Sequence, residues 1–248
     1  MSPEIHLLDR DVAARIAAGE VIERPASVVR EVIDNSIDAG ASRISIILEA
    51  GGLSEIRITD NGSGIKSDQI ELAFHRHATS KIATSNDLRT IQTLGFRGEA
   101  LPAIAAAAEV EIISCTTGQS VGVSAHFAGG ELLDTAKVPT AEGTTLVVRN
   151  LFEHLPARKK FLGSASAEGR QITSLVSHYA LAYPGIAFSF KNGRREIHTS
   201  GDGALRHAFS SVYGADDGEN MLQISLQEGG VDVAVSYTHL TLTTNREV

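Results

Sequence analysis

The chain has 248 residues, 42% hydrophobic and 21% charged, with a formal net charge of −8. That length buries a substantial core and holds one large domain or one and a half. The acidic balance opposes nonspecific duplex binding, which draws on Lys and Arg neutralising phosphates, so any DNA contact must be local. With no run of about 18 apolar residues and no basic-then-apolar leader in MSPEIHLLDRD, neither a membrane span nor a secretory signal is supported, and a cytoplasmic location is the default expectation.

In chain order, a helical stretch is expected over residues 11–18 and an amphipathic helix over Ala26 to Asp38. On the second, Val28, Val29, Val32, Ile33, Ser36 and Ile37 group on one side, while Glu31, Asn35 and Asp38 share the other. Two alternating strands follow, RISIILE and SEIRITD, turned at Gly51 and Gly52. DNGSG then makes a sharp loop, and Asp68 with Glu71 opens a short helix through Phe74 ahead of a polar loop to Thr90. Strands are expected at Glu109 to Cys115, Val121 to Phe127 and Thr144 to Arg149, with the lone Cys115 as a core residue. Glu168 to Ala182 reads as a helix, and Asn192-Gly193 as a two-residue hairpin turn. From Ala204 a helix to Tyr213 and strands near Leu222 to Leu226 and Val231 to Val235 suggest a second domain.

Three phrases carry chemistry. In the first, on the amphipathic helix, Glu31 is a carboxylate able to orient water, and Asn35 offers an amide oxygen of the kind a hard cation accepts. In the second, Asp60 ends a strand beside Gly62 and Gly64, which permit backbone conformations closed to other residues. A buried carboxylate there accepts from a base's amino group. In the third, Gly95, Phe96, Arg97 and Gly98 precede the helical stretch begun by Glu99, Ala100 and Leu101, so unpaired N–H groups are available to phosphate. No G-x-x-x-x-G-K-[ST], H-E-x-x-H or C-x-x-C occurs, which excludes a P-loop and gives no support to zinc.

IAAGEVIERPASVVREVIDNSIDAGA, DNGSGI, HATSK and GFRGEAL together resemble the N-terminal ATPase region of the MutL family of DNA mismatch repair proteins, within the GHKL superfamily, over nearly the whole chain. The resemblance implies an α/β (α+β) sandwich of the GHKL, or Bergerat, type over residues 1–200. It further implies the start of a ribosomal-protein-S5-like domain over 201–235. Residues 236–248 depart from the family and are expected to be an adapter-derived tail, so the parent protein should be longer.

By resemblance Glu31 is the general base, Asn35 the Mg²⁺ ligand, Asp38 a polar support and Asp60 the reader of adenine, with Gly62 and Gly64 making room for the base and ribose. Thr79, Ser80 and Lys81 join Gly95 to Leu101 in a lid over ATP, and Thr145 supports the Asp60 contact. Glu153, His154 and Leu155 replace the family's usual Phe, Asn and Thr. The implied partners are a MutS-like mismatch recognition protein, DNA, a downstream nuclease and helicase, and a second copy on ATP binding, in the bacterial cytoplasm or nucleoid. The family's terminal-phosphate lysine comes from the second domain, beyond Val235, so poor turnover is expected of this stretch alone.

Overall fold

The computed structural model describes residues 22–82, 87, 93–95, 98–219, 221–228 and 231–238. The expected helix at 11–18, together with Phe96 and Arg97, lies outside them. Helix α1, Pro25–Asp38, starts with Pro at its first position, where the missing N–H costs nothing. Its apolar stripe is the expected one, with Val28, Val29, Val32, Ile33 and Ser36 buried.

Strands β1 (Arg43–Glu49) and β2 (Glu55–Asp60) pair antiparallel. A 3-10 turn, Ala50–Gly52, joins them, and Gly51 at φ 67° lies so close to the Ala165 carbonyl that a Cβ would stand 1.9 Å from its oxygen. A 3-10 turn, Ser67–Gln69, and helix α2 (Ile70–Ala73) follow. Next come α3 (Ala100–Ala107), β3 (Glu109–Cys115), β4 (Val121–Ala128), β5 (Glu131–Pro139) and β6 (Gly143–Arg149). Helix α4 (Pro156–Lys159) and the long α5 (Ala165–Ala182) lead to β7 (Ala187–Asn192) and β8 (Arg195–His198). The hairpin is shifted by one residue from expectation. Asn192 pairs with Arg195, so Gly193 and Arg194 form the turn, with Gly193 at φ 59°.

The eight strands form one sheet in the order β5-β4-β3-β6-β2-β1-β7-β8, with β1 and β7 parallel and the other pairs antiparallel. One face carries Ile44, Ile46, Ile56, Ile58, Val148 and Phe190 into the core under α1, α3 and α5. Each such side chain contributes roughly 1.5–3 kcal/mol on burial, so this layer dominates the stability. The other face is polar. Arg149 on β6 donates to Glu55 on β2 at 2.8 Å and to Glu111 on β3 at 3.3 Å.

Helix α6 (Leu205–Tyr213) buries Ala208 and Val212, and Val212 belongs to the same core. Arg195 also donates to the Val212 carbonyl at 3.0 Å. This helix thus packs against the core beneath the eight-stranded sheet. Helix α7 (Ala215–Glu219) precedes a hairpin of β9 (Met221–Glu228) and β10 (Val231–Thr238). They pair antiparallel from Val231 opposite Glu228 to Thr238 opposite Met221. No helix among the described residues is long and apolar enough to cross a membrane.

Candidate functional site

Antiparallel register sets Asp60, Thr144 and Ser114 side by side on β2, β6 and β3, on the face toward the helices. Asp60 Oδ1 accepts from the Gly62 amide at 2.8 Å and the Thr144 amide at 3.3 Å, and Oδ2 accepts from the Ser36 hydroxyl of α1 at 2.9 Å. Burial pushes the Asp60 carboxyl above its ordinary value even though these three donors pull it down. A carboxylate desolvated in this way accepts strongly from any further donor brought to it.

The DNGSGI loop is held by its own asparagine. Asn61 Oδ1 accepts from the Ser42 and Arg43 amides at 3.0 and 2.7 Å, and its Nδ2 donates to Ser42 Oγ at 2.9 Å. The chain itself demands the two glycines. A Cβ on Gly62 would stand 2.8 Å from that of Ala39, and one on Gly64, at φ 67°, would stand 2.1 Å from the Cys115 carbonyl oxygen. Close packing of this loop against α1 and β3 is thus a reason for the glycines that needs no ligand.

Glu31, Asn35 and Asp38 lie on α1 away from its core stripe, spanning about 10 Å of helix at about 1.5 Å rise per residue. Around its C-terminal end a second cluster forms. Lys81 Nζ donates to Asn35 Oδ1 at 2.8 Å and to Asp38 Oδ2 at 2.5 Å. The amides of Leu94 and Gly95 donate to Asp38 at 2.9 and 3.1 Å. Asp38 is 6% exposed in its side chain and Lys81 20%. Burial works against the Asp38 charge, but Lys81 and the two amides outweigh it and hold the carboxyl below its ordinary value. Next to this cluster, Tyr179 of α5 donates to Asp34 at 2.5 Å. Burial raises Asp34 above its ordinary value, and burial with the Asp34 contact raises the Tyr179 phenol far above its own.

The structure therefore brings Asn35, Asp38, Lys81 and Gly95 together, and a Cβ on Gly95 would lie 3.4 Å from Lys81 Nζ. HATSK and GFRGEAL also meet. His77 N–H donates to the Gly98 carbonyl at 3.0 Å, and Gly98, at φ 62°, leaves no room for a Cβ against Ala78. Thr79 Oγ1 accepts from the Lys81 amide at 3.2 Å, while Ser80 is exposed. Glu99 precedes α3, Ala100 and Leu101 open it, and the Glu99 carbonyl accepts from Ala103. Glu31 lies half-buried one turn before Asn35.

Thr145 is the correction. Its hydroxyl meets that of Thr59 at 3.0 Å on the opposite face of the sheet, because side chains alternate along β6. Thr144, pairing with Asp60, is the residue at the carboxylate. Sequence reasoning also left out Ser36 and Ser114, whose hydroxyls complete this row. For Ser36 the signal was a polar residue inside an apolar stripe.

The profile described as histidine kinase-, DNA gyrase B-, and HSP90-like ATPase matches residues 22–130. The DNA mismatch repair protein MutL of Pediococcus pentosaceus is 49% identical over 225 residues, covering 90% of this chain and 35% of that protein. The chain thus spans about a third of the length of the curated relatives it matches. A crystal structure of the N-terminal domain of a DNA repair protein superposes with a TM-score of 0.72 at 31% identity, covering 86% of this chain and 64% of the other. The Aquifex aeolicus MutL ATPase domain complexed with ADP superposes with a TM-score of 0.64 at 26% identity, covering 83% and 73%.

Proposed function

We propose that the chain, which belongs to the GHKL ATPases in their MutL branch, binds Mg-ATP between α1, the β2–β6 row, Lys81 and Gly95, and hydrolyses it in DNA mismatch repair. The observation that carries this reading is the partly buried Asp60 carboxylate, fixed by three donors beside Thr144 and floored by two glycines that admit no side chain. Such a site accepts the exocyclic amine of adenine and offers nothing to a carbonyl in its place.

Oxygens of Asn35 and Asp38 already converge on a cation, the Lys81 ammonium, so their chemistry fits Mg²⁺. Asn35 would hold the metal, which, when bound, offsets charge on the phosphates. Glu31 orients and deprotonates the attacking water, Lys81 turns to phosphate, and Gly95, Gly98 and the α3 N-terminus offer amides to the phosphates. In the whole protein, nucleotide-driven dimerisation relays mismatch recognition by a MutS-like protein to nuclease and helicase steps on DNA, in the cytoplasm or nucleoid. Residues 201–235 begin an S5-like domain and 236–248 are an adapter-derived tail.

The test is ATP binding together with phosphate release under single-turnover conditions. Glu31→Ala should bind ATP within about threefold of wild type and lose release by about a hundredfold, since a base acts on the chemical step. Unchanged release overturns the role of Glu31. Absence of ATP binding in the unaltered chain overturns the pocket.

A further inference from the structure

Ser114 of β3 has no part in the roles above, yet it is 1% exposed and stands at the end of the Asp60–Thr144 row. Its Oγ has three neighbours at hydrogen-bond distance. The Ile65 amide donates to it at 2.8 Å, the Gly143 carbonyl lies at 3.1 Å, and the Thr144 hydroxyl lies at 2.9 Å. A hydroxyl has one proton and two lone pairs. Ile65 N–H only donates, so it occupies one lone pair, and the Gly143 carbonyl only accepts, so it takes the Ser114 proton. The remaining lone pair faces Thr144, whose hydroxyl must then be the donor. With its proton turned to Ser114, Thr144 shows the pocket lone pairs alone. Asp60 beside it is likewise an acceptor, because its carboxyl receives three donors.

We propose that Ser114 is a specificity-determining positioning residue: by accepting the Thr144 proton it makes the Asp60–Thr144 pair an all-acceptor surface, which selects a purine bearing an exocyclic amine over one bearing a carbonyl. The inference rests on the ATP reading of this pocket and adds to it the residue that sets hydrogen-bond polarity. Ser114 touches no ligand in this arrangement. It acts through Thr144 and, through Ile65, on the end of the DNGSGI loop.

The experiment measures binding of ATP and of inosine triphosphate, which has a carbonyl in place of the amine, to the full 248-residue chain. Ser114→Ala frees the Thr144 hydroxyl to turn and donate to that carbonyl, so the ATP-to-inosine-triphosphate affinity ratio should fall about tenfold, chiefly through tighter inosine triphosphate binding. Ser114→Thr keeps a hydroxyl and should restore the ratio. Adding Ser114→Ala to Thr144→Val should leave the ratio of Thr144→Val unmoved. A purely structural Ser114 would weaken both nucleotides alike, so an unchanged ratio in Ser114→Ala overturns the proposal. Should that variant not fold, Ser114→Cys fills the same space with a weak acceptor, and a wild-type ratio there overturns it equally. Asp60→Asn separates the two readings. If Asp60→Asn weakens ATP while Ser114→Ala leaves the ratio alone, only the role of Ser114 fails; if Asp60→Asn leaves ATP binding intact, the pocket reading itself fails.

Discussion

Asp60→Asn should separate recognition from folding, and the surroundings of the carboxylate allow the size of each effect to be worked out. The substituted side chain keeps one oxygen, which still accepts from the Gly62 and Thr144 amides at the Oδ1 position. Its new NH₂ faces Ser36, whose hydroxyl has a second acceptor in the Val32 carbonyl at 2.9 Å. Ser36 turns to Val32 and accepts from the amide, so no buried donor loses its partner. The buried charge disappears. Stability at pH 7 should therefore be unchanged or higher by about 1 kcal/mol, or about 2–4 °C in Tm for a domain of this size. Nucleotide binding moves the other way. A charged acceptor is lost and an N–H is turned toward the base amine, a change of about 1.5–3 kcal/mol, or roughly 10- to 150-fold in ATP affinity.

The pH dependence has a definite sign. Asp60 in the fold titrates above its ordinary 3.8. Between the two values the folded chain holds more protons than the unfolded one, so the charge penalty is present at neutral pH and is relieved as pH falls through the folded value. Thermal melts of wild type and Asp60→Asn between pH 4.5 and 8 should converge toward the acid end. A variant melting several degrees below wild type at pH 7 would refute the reasoning, because it would mean that the carboxylate's hydrogen bonds outweigh its desolvation.

Gly64→Ala should cost more than about 2 kcal/mol, seen in chemical denaturation, since φ is 67° and the new Cβ would stand 2.1 Å from the Cys115 carbonyl oxygen. Lys81→Met leaves Asp38 without its ammonium and should lower stability by about 1–3 kcal/mol; millimolar Mg²⁺ should then raise its Tm more than that of wild type, and an equal response would argue against a cation site at Asn35 and Asp38. Tyr179→Phe removes the donor to Asp34, costing about 1–2 kcal/mol at pH 7. Asp34 already titrates high through burial, so without Tyr179 it titrates higher still, and the loss should shrink as pH falls through that value in parallel melts.

What could be read in the sequence was local. Helix α1 and strands β1 and β2 have apolar spacing matched to their periods, and their bounds fall within a residue or two of expectation. Strand β5 could not be read this way. It lies at the sheet edge with Leu133 64% exposed, so its sequence, ELLDTAKVP, carries no buried alternation, and pairing with β4 makes it a strand. Thr144 and Thr145 are equivalent to a reader of the sequence, and only the register against β2 decides which faces the carboxylate. The grip of Lys81 on Asn35 and Asp38 joins residues more than forty positions apart, which no spacing rule reports. In the turn after β7, glycine's tolerance of positive φ was legible, but which neighbour shared the turn depended on Asn192 pairing with Arg195.

The net charge of −8 argued that any contact with DNA must be local, and the open face of the sheet sharpens that argument. Arg57 and Arg149 both sit on Glu55, and Arg149 also reaches Glu111, which faces His126 on the next strand. The guanidiniums are thus turned along the sheet toward carboxylates of their own chain. Phosphate could recruit them only by breaking those pairs, and the carboxylates left behind would repel it. Coulomb interaction between exposed charges at these separations is about 1 kcal/mol in water, so each broken pair is a small loss, but the repulsion that replaces it has the same size and opposite sign. A face built in this way neutralises itself, and it makes a poor track for a polyanion despite its arginines.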